Sequence, residues 1–274
     1  TYNFGGFFST LNFSNTLLSS RISSCPMNTT NPFRLIFSAV AGIAIAATLL
    51  PHLSSASPNL VPTNPSPNAS ALKQANPSKV IISKQDQILL QAIRAGDLAA
   101  VKTALLRKAN PNAQNEHSET ALMIAASTNH IGIAKLLLAY GANVNGGDYT
   151  VGYPLMAAAR EGHIEIVQLF LRKGAKVNLS ADEGFTALDD AIAENQVAVV
   201  KLLLESGANP NHYVAGSTPL YDAASNGYTK IVSLLIEHGA DIHAKSFGSR
   251  TALAIATQNQ HLDVVNLLKQ AGAK

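Results

Sequence analysis

The residues with the clearest capacity for chemistry are eight histidines, because imidazole binds metal ions and exchanges protons near neutral pH. Three of them recur at one place in a repeated pattern, which favours a structural role; these are His130, His163 and His261. Three others lie near one end of successive copies and could converge; these are His212, His238 and His243. They lack carboxylate or cysteine partners at the spacing that a metal site needs. We therefore predict no metal site and no cofactor.

An acidic run, Asp189-Asp190 with Glu194, is the second candidate for chemistry. Two carboxyl groups can perform general acid–base catalysis when a cleft removes water and separates their pKa values. The repeated elements that carry these residues form an open surface rather than a cleft, so we interpret the run as a solvated acidic surface. The sequence contains no Gly-Lys-Ser/Thr phosphate loop and no nucleophile elbow. We predict no catalytic residues and no enzymatic activity.

The elements that carry these residues recur with a fixed period. Five copies open on a Thr/Tyr–Ala/Pro–Leu phrase, which begins at Thr120, Tyr153, Thr186, Thr218 and Thr251. Each closes near a Gly-Ala pair, at Gly141, Gly174, Gly207, Gly239 and Gly272. The step between successive glycines is constant, apart from the step to Gly239, which is one position shorter. A fixed period between roughly 20 and 50 residues predicts a stack of supersecondary units, each unable to bury its apolar face alone.

One copy is enough to predict the elements of the unit. In the fourth, Thr186 can cap a short first helix, and Asn195-Gln196 interrupts the helical spacing of apolar residues. Gly207 can take the left-handed conformation that ends a second, longer helix. Alanines share one phase of the first helix and predict close packing between copies; they are Ala125, Ala158, Ala191, Ala223 and Ala256.

Taken together, these phrases resemble ankyrin repeats. The evidence is the opening Thr-Ala/Pro-Leu, an alanine three residues later, Gly-His-Ile-Glu-Ile-Val at 162–167, and the closing Gly-Ala-x-Val/Ile-Asn/His. The resemblance covers about six copies, which we place at 84–116, 117–149, 150–182, 183–214, 215–247 and 248–274. It implies an all-α repeat solenoid of helix–loop–helix units joined by β-hairpin fingers, which binds other proteins.

Two copies depart from the pattern. The first, from Gln85 to about Asn115, lacks the Thr-x-Leu opening, and a degenerate terminal copy is typical of a cap. The fifth is entered through a loop one residue short, around 212–216, so its finger should differ from its neighbours.

Residues 27–56 have the features of an export signal. Met27 is followed by a short, positively charged start and an uncharged apolar run at 35–50, and small residues then precede Ala56. We predict cleavage after Ala56 and a periplasmic or secreted location. The alternative is a retained membrane anchor over 35–50, although a spanning helix needs roughly 20 apolar residues, more than this run supplies.

The segments on either side of this signal have different interpretations. We interpret residues 1–26 as upstream sequence that is non-native or untranslated, with an organellar transit peptide as a minor alternative. Residues 57–83 hold five prolines among Asn, Ser and Ala, which predicts a disordered, partly extended linker. The ankyrin-repeat domain then covers residues 84–274.

The charge of the chain limits the classes of partner, and its cysteine content limits the possible disulfides. The chain has 20 basic and 17 acidic residues, for a net charge of +3, and no contiguous basic stripe, so we predict no nucleic-acid partner. Cys25 is the only cysteine and precedes the repeats, which excludes disulfides from them. A membrane contact is expected only if residues 35–50 are retained, and we expect a monomer.

The resemblance implies that contacts fall on the finger tips and on the exposed side of each first helix. Aromatic residues in these positions are candidate anchors: Tyr149, Tyr213, Tyr221 and Phe247. Acidic residues concentrate on the same side of the middle copies: Asp148, Glu161, Asp182, Glu183, Asp190, Glu194 and Asp222. We therefore predict a concave face that is acidic at its centre and suits a protein partner with a basic or polar surface.

Overall fold

Paired short helices follow one another through the computed structural model, which describes residues 82–181 and 184–274. The twelve helices within these residues are α1 (Lys84–Arg94), α2 (Leu98–Leu106), α3 (Ala121–Ser127), α4 (Ile131–Ala139), α5 (Pro154–Arg160), α6 (Ile164–Arg172), α7 (Ala187–Ala193), α8 (Val197–Glu205), α9 (Pro219–Ser225), α10 (Thr229–Glu237), α11 (Ala252–Gln258) and α12 (Leu262–Gln270). Each copy supplies two of them, so the predicted all-α solenoid of six helix–loop–helix units is confirmed.

The predicted helix boundaries follow from local chemistry. The hydroxyls of Thr120, Thr218 and Thr251 accept hydrogen bonds from the backbone N–H three residues later, which satisfies a donor that the first turn leaves free. At Thr186 the arrangement differs, because the Asp189 carboxylate accepts from both its backbone N and its hydroxyl. Gly207 follows α8 with φ 89°, the left-handed conformation expected of a residue that ends a helix.

The core is continuous from one copy to the next. First helices pack against first helices of the neighbouring copies, and second helices against second helices. The five predicted alanines of the first helices are completely buried, which lets these helices approach closely. Bulk comes from the second helices, whose fully buried residues include Leu137, Phe170, Leu203, Leu235 and Leu268.

An asparagine ladder joins consecutive copies just after their second helices; it consists of Asn112, Asn145, Asn178 and Asn211. Each Oδ1 accepts a hydrogen bond, at 2.7–2.9 Å, from a backbone N of the following copy. Each Nδ2 donates to the carbonyl oxygen of that copy's closing glycine, at 2.9–3.4 Å. The same two bonds therefore fix the spacing of four successive junctions.

The fingers between copies are short turns held by isolated antiparallel bridges rather than by extended strands in the described residues. The bridges join Gln114 to Thr120, Asp148 to Gly152, Val214 to Ser217 and Ser246 to Arg250. The finger before α9 is the shortest, as predicted from its missing residue. Its turn residues, Ala215 and Gly216, have φ 50° and 89°, the positive values typical of a two-residue type I′ hairpin.

The predictions for the N-terminal third lie outside the described residues, apart from Ile82 and Ser83 at the end of the linker. These are the upstream segment, the signal or anchor, and the rest of the linker. Within residues 82–181 and 184–274, no helix is long and apolar enough to cross a membrane.

Candidate interaction surface

Three of the four predicted aromatic anchors are exposed in the fingers. Tyr149 is 57% exposed, Tyr213 58% and Phe247 46%. Each lies inside the turn that a finger bridge closes, or directly beside it. These three residues, which we call the finger aromatics, present large apolar surfaces to solvent at successive points along the stack.

Tyr221 is not a surface anchor, and this prediction is corrected. It is 3% exposed, and its ring packs against Phe247 with the centroids 5.4 Å apart. The backbone N of Phe247 also donates to the Gly216 carbonyl at 2.7 Å. Phe247 therefore joins two fingers as well as facing solvent, whereas Tyr149 and Tyr213 make no ring contact in the described structure.

Asp190 is buried rather than solvated, which overturns the interpretation of the acidic run as a hydrated surface. Its side chain is 10% exposed, and its carboxylate accepts hydrogen bonds from the Arg160 guanidinium, with Nη2 2.9 Å from Oδ1 and 3.0 Å from Oδ2. Burial opposes the Arg160 charge, but the Asp190 carboxylate outweighs it and raises the pKa of Arg160. The pair joins α5 to α7 across the junction of two copies.

Asp189 is also buried, with its side chain 7% exposed. One carboxylate oxygen caps Thr186 and lies 3.3 Å from Nδ1 of His212, in the loop before α9. The other oxygen, Oδ1, is buried without a hydrogen-bond partner in the described structure. The nearby carboxylate raises the pKa of His212, because it stabilises the protonated imidazole.

A third acidic residue, Asp222, lies on α9. Burial raises the pKa of its carboxyl to about 7, the Asp189 charge acts in the same direction, and a hydrogen bond from the Ser217 hydroxyl at 2.8 Å opposes both. The residues Arg160, Asp189, Asp190, His212, Ser217 and Asp222 form what we call the polar cluster. It lies between the first helices of the three middle copies instead of forming an acidic surface for a partner.

Comparison with known proteins decides the family. The family model described as "Ankyrin repeats (3 copies)" matches residues 68–148, 89–181, 148–214 and 212–274. The chain belongs to the ankyrin-repeat family. Among solved structures it is similar to the human ASB11 ankyrin repeat domain, with 26% sequence identity, a TM-score of 0.62, and coverage of 68% of this chain and 83% of that one. The search of curated proteins returned no match.

Membership of the ankyrin-repeat family indicates the general function of the chain. Ankyrin repeats are generally protein–protein interaction modules, and the ankyrin fold is typically a non-enzymatic binding scaffold. The remaining predicted contact residues on the ankyrin stack are partly or fully exposed: Asp148, Glu161 and Glu194. Asp182 and Glu183 lie outside the described residues.

Two of the three histidines that share a phase in the ankyrin copies contact backbone carbonyl oxygens, in keeping with the predicted structural role. His163 Nε2 lies 3.2 Å from the Ser127 carbonyl oxygen, and His261 Nε2 lies 3.0 Å from that of Ser225. Each contact links the start of a second helix to the first helix of the preceding copy. Of the three histidines predicted to converge, His238 has its Nδ1 2.8 Å from the Leu234 carbonyl oxygen, and His212 has its Nδ1 3.3 Å from Oδ2 of Asp189. In the part of the chain that the structure describes, no three side chains form a metal-binding group.

Sequence reasoning missed Arg160, His212 and Ser217 as partners of the acidic residues. One signal was available for Arg160: it precedes Asp190 by slightly less than one ankyrin period. In the structure these two opposite charges lie on facing sides of the adjacent first helices α5 and α7. Ser217 and His212 carried no comparable signal, because the shortened loop between them shifts the register of the finger.

Proposed function

We propose that this ankyrin-repeat stack binds a protein partner through the finger aromatics and the adjoining exposed side of the first helices, as a monomer. The observation that supports this most is the exposure of Tyr149, Tyr213 and Phe247 at 46–58%. Large exposed aromatic side chains contribute disproportionately to binding energy when a partner covers them.

The charges on the exposed side of the first helices favour contact with a polar or basic surface. Glu161 and Glu194 are exposed at the ends of α5 and α7, where their carboxylates can meet cationic side chains. Asp190 and Asp189 are buried, so they act through the shape of the surface and not as direct contacts. Affinity is then expected to depend more on the aromatic residues than on salt concentration.

Site-specific photo-crosslinking tests this proposal. A benzophenone amino acid replaces Tyr213 or Tyr149 in the full chain, and a matched control carries it at Tyr140, which is 38% exposed but ends a second helix. In the source cells, both finger positions are expected to give one crosslinked product of the same added mass, absent at Tyr140. Equal products at all three positions, or none at the fingers, would contradict the proposal.

We also propose that the stack is exported and released after cleavage at Ala56, the alternative being a scaffold tethered through residues 35–50. Support comes from the sequence alone: a charged start, an uncharged apolar run and small residues at the cut. N-terminal sequencing of the mature protein separates the two. A start at Ser57 supports export, and a retained apolar segment in the membrane fraction supports the tether.

A further inference from the structure

The short finger that carries Tyr213 is anchored at both ends by carboxyl groups of the first helices. At one end, Nδ1 of His212 lies 3.3 Å from Oδ2 of Asp189 on α7, which is an ion pair when the imidazole is protonated, although this nitrogen has no hydrogen-bond partner in the described structure. At the other, the Ser217 hydroxyl donates to Oδ2 of Asp222 on α9 at 2.8 Å. The position of the finger therefore depends on two side-chain contacts whose strength changes with protonation.

The finger that carries Tyr149 is built differently. Its carboxyl group, Asp148, accepts hydrogen bonds from the backbone N and the hydroxyl of Thr150 within the same turn. The Thr150 hydrogen bonds lower the pKa of Asp148, so this carboxyl stays ionised near neutral pH. The Tyr149 finger thus provides an internal reference with nearly the same aromatic exposure.

Protonation acts differently at the two ends of the Tyr213 finger. It strengthens the contact of His212 with Asp189, whereas at Asp222 burial and the Asp189 charge favour the protonated carboxyl against the hydrogen bond from Ser217, which favours the ionised one. The pKa of Asp222 is raised from 3.8 to about 7 and that of His212 is raised above 6.5. A group whose pKa rises on folding stabilises the folded chain at low pH, and this contribution is lost as the pH increases. For Asp222 the loss runs from about pH 4 to about pH 7, and for His212 it begins near pH 6.5.

The loss of this stability at higher pH has an electrostatic cause. At low pH a protonated His212 faces the Asp189 carboxylate, and Asp222 is neutral beside it. At higher pH His212 loses its charge, and an ionised Asp222 comes under the repulsion of Asp189, whose Oδ1 has no hydrogen-bond donor in the described structure. Burial and this repulsion together outweigh the Ser217 hydrogen bond, so the ionised carboxylate favours movement towards water.

The other charged groups on the packed elements do not offset this change. Arg160 of α5 is bound to Asp190, Lys201 pairs with Glu205 within α8, and Glu194 is exposed at the end of α7. Tyr228, where α10 begins, has its pKa raised by burial and by Glu194, so it is neutral throughout. Lys230 and Glu237 of α10 are exposed, α9 adds the buried phenol of Tyr221, and α11 has no titratable side chain.

We propose that the Tyr213 finger is a protonation-sensitive element of the binding surface, held against α7 and α9 in mildly acidic conditions and released in mildly alkaline ones. This inference rests on the proposed function, because Tyr213 is one of the finger aromatics. Binding of the partner would then weaken as the pH rises, since a mobile anchor must be ordered on association.

The chain contains no tryptophan, so single-tryptophan variants report on each finger without a partner. Tyr213→Trp and the reference Tyr149→Trp are each titrated from about pH 5.5 to about pH 8.5, and fluorescence quenching by acrylamide, an uncharged probe, is measured. The quenching constant at position 213 is expected to rise about 1.5-fold with a midpoint near pH 7, while position 149 stays constant. Helical circular dichroism should not change over this range.

Three further substitutions, and the combination of two of them, show which groups cause the transition in quenching. In the Tyr213→Trp background, Asp222→Asn and His212→Gln should each reduce its amplitude, and their combination should abolish it. Ser217→Ala removes one anchor without changing a charge, so quenching should be high already at low pH. A constant signal at position 213, or the same transition at position 149, would overturn the inference. The crosslinking result is independent of these measurements, so failure of the proposed function is distinguishable from failure of this inference.

Discussion

The asparagine ladder and the polar cluster both join neighbouring copies, but only the ladder is repeated. Each of its four asparagines makes the same two bonds to the following copy. The polar cluster occurs once, where Arg160, Asp190 and Asp222 bring ionisable side chains, partly or fully buried, between the first helices. The ladder sets the spacing of the stack, whereas the cluster distinguishes its middle from its ends. Energetic tests can therefore show whether these two devices are independent.

Removing one half of the partly buried ion pair between Arg160 and Asp190 should have the largest effect. Arg160→Ala leaves Asp190, whose side chain is 10% exposed, without its guanidinium partner. The loss is expected to lower the free energy of unfolding by about 3 kcal/mol, measured by urea denaturation of the full chain.

A double variant separates the charge from the packing. Arg160→Met with Asp190→Leu replaces the pair by apolar groups of similar length, and should restore most of the lost stability. If the double variant is as unstable as Arg160→Ala, then the pair is not what connects α5 to α7, and the distinction between cluster and ladder loses its energetic basis.

Each asparagine of the ladder should contribute less to stability than the ion pair does, and the contribution should be the same at every junction. Asn178→Ala removes two hydrogen bonds, to Asn209 N and to Gly207 O, and should cost about 2 kcal/mol. Asn145→Ala removes the equivalent pair and should cost the same within error. Because both are interface terms of a stacked array, a large difference in their urea midpoints would show that the junctions are not equivalent.

Gly207→Val tests the end of a second helix in the same repeated part of the molecule. A Cβ at Gly207 would meet no atom within 4 Å, but φ is 89°, so the cost is conformational. We expect about 1–2 kcal/mol of destabilisation, read as a lower melting temperature. The same change at Gly174, with φ 84°, should give the same shift; an unchanged melting temperature at both would contradict the assigned boundaries.

The repeated part of the molecule could be predicted from sequence, and the unrepeated part could not. The alanine at the phase of Ala125 and the glycine at the phase of Gly207 have the same role in five copies, so these copies in phase determine the helices and the core. The environment of Asp190 depends on Arg160, and that of Tyr221 on the way Phe247 folds back over it. Such contacts occur at a single place in the stack. The repeat period describes only what the copies share, so it does not predict them.

Ala215→Asn in the short finger should have the smallest effect and the opposite sign. Ala215 has φ 50° in a type I′ turn, a conformation that asparagine tolerates better than alanine. The variant is expected to gain about 0.5 kcal/mol, measured by urea denaturation near pH 6. Because the change lies between His212 and Ser217, it also tests the link to the polar cluster: a stiffer turn should shrink the pH response of tryptophan at position 213. Stabilisation without that reduction would mean that the turn and its two anchors act separately.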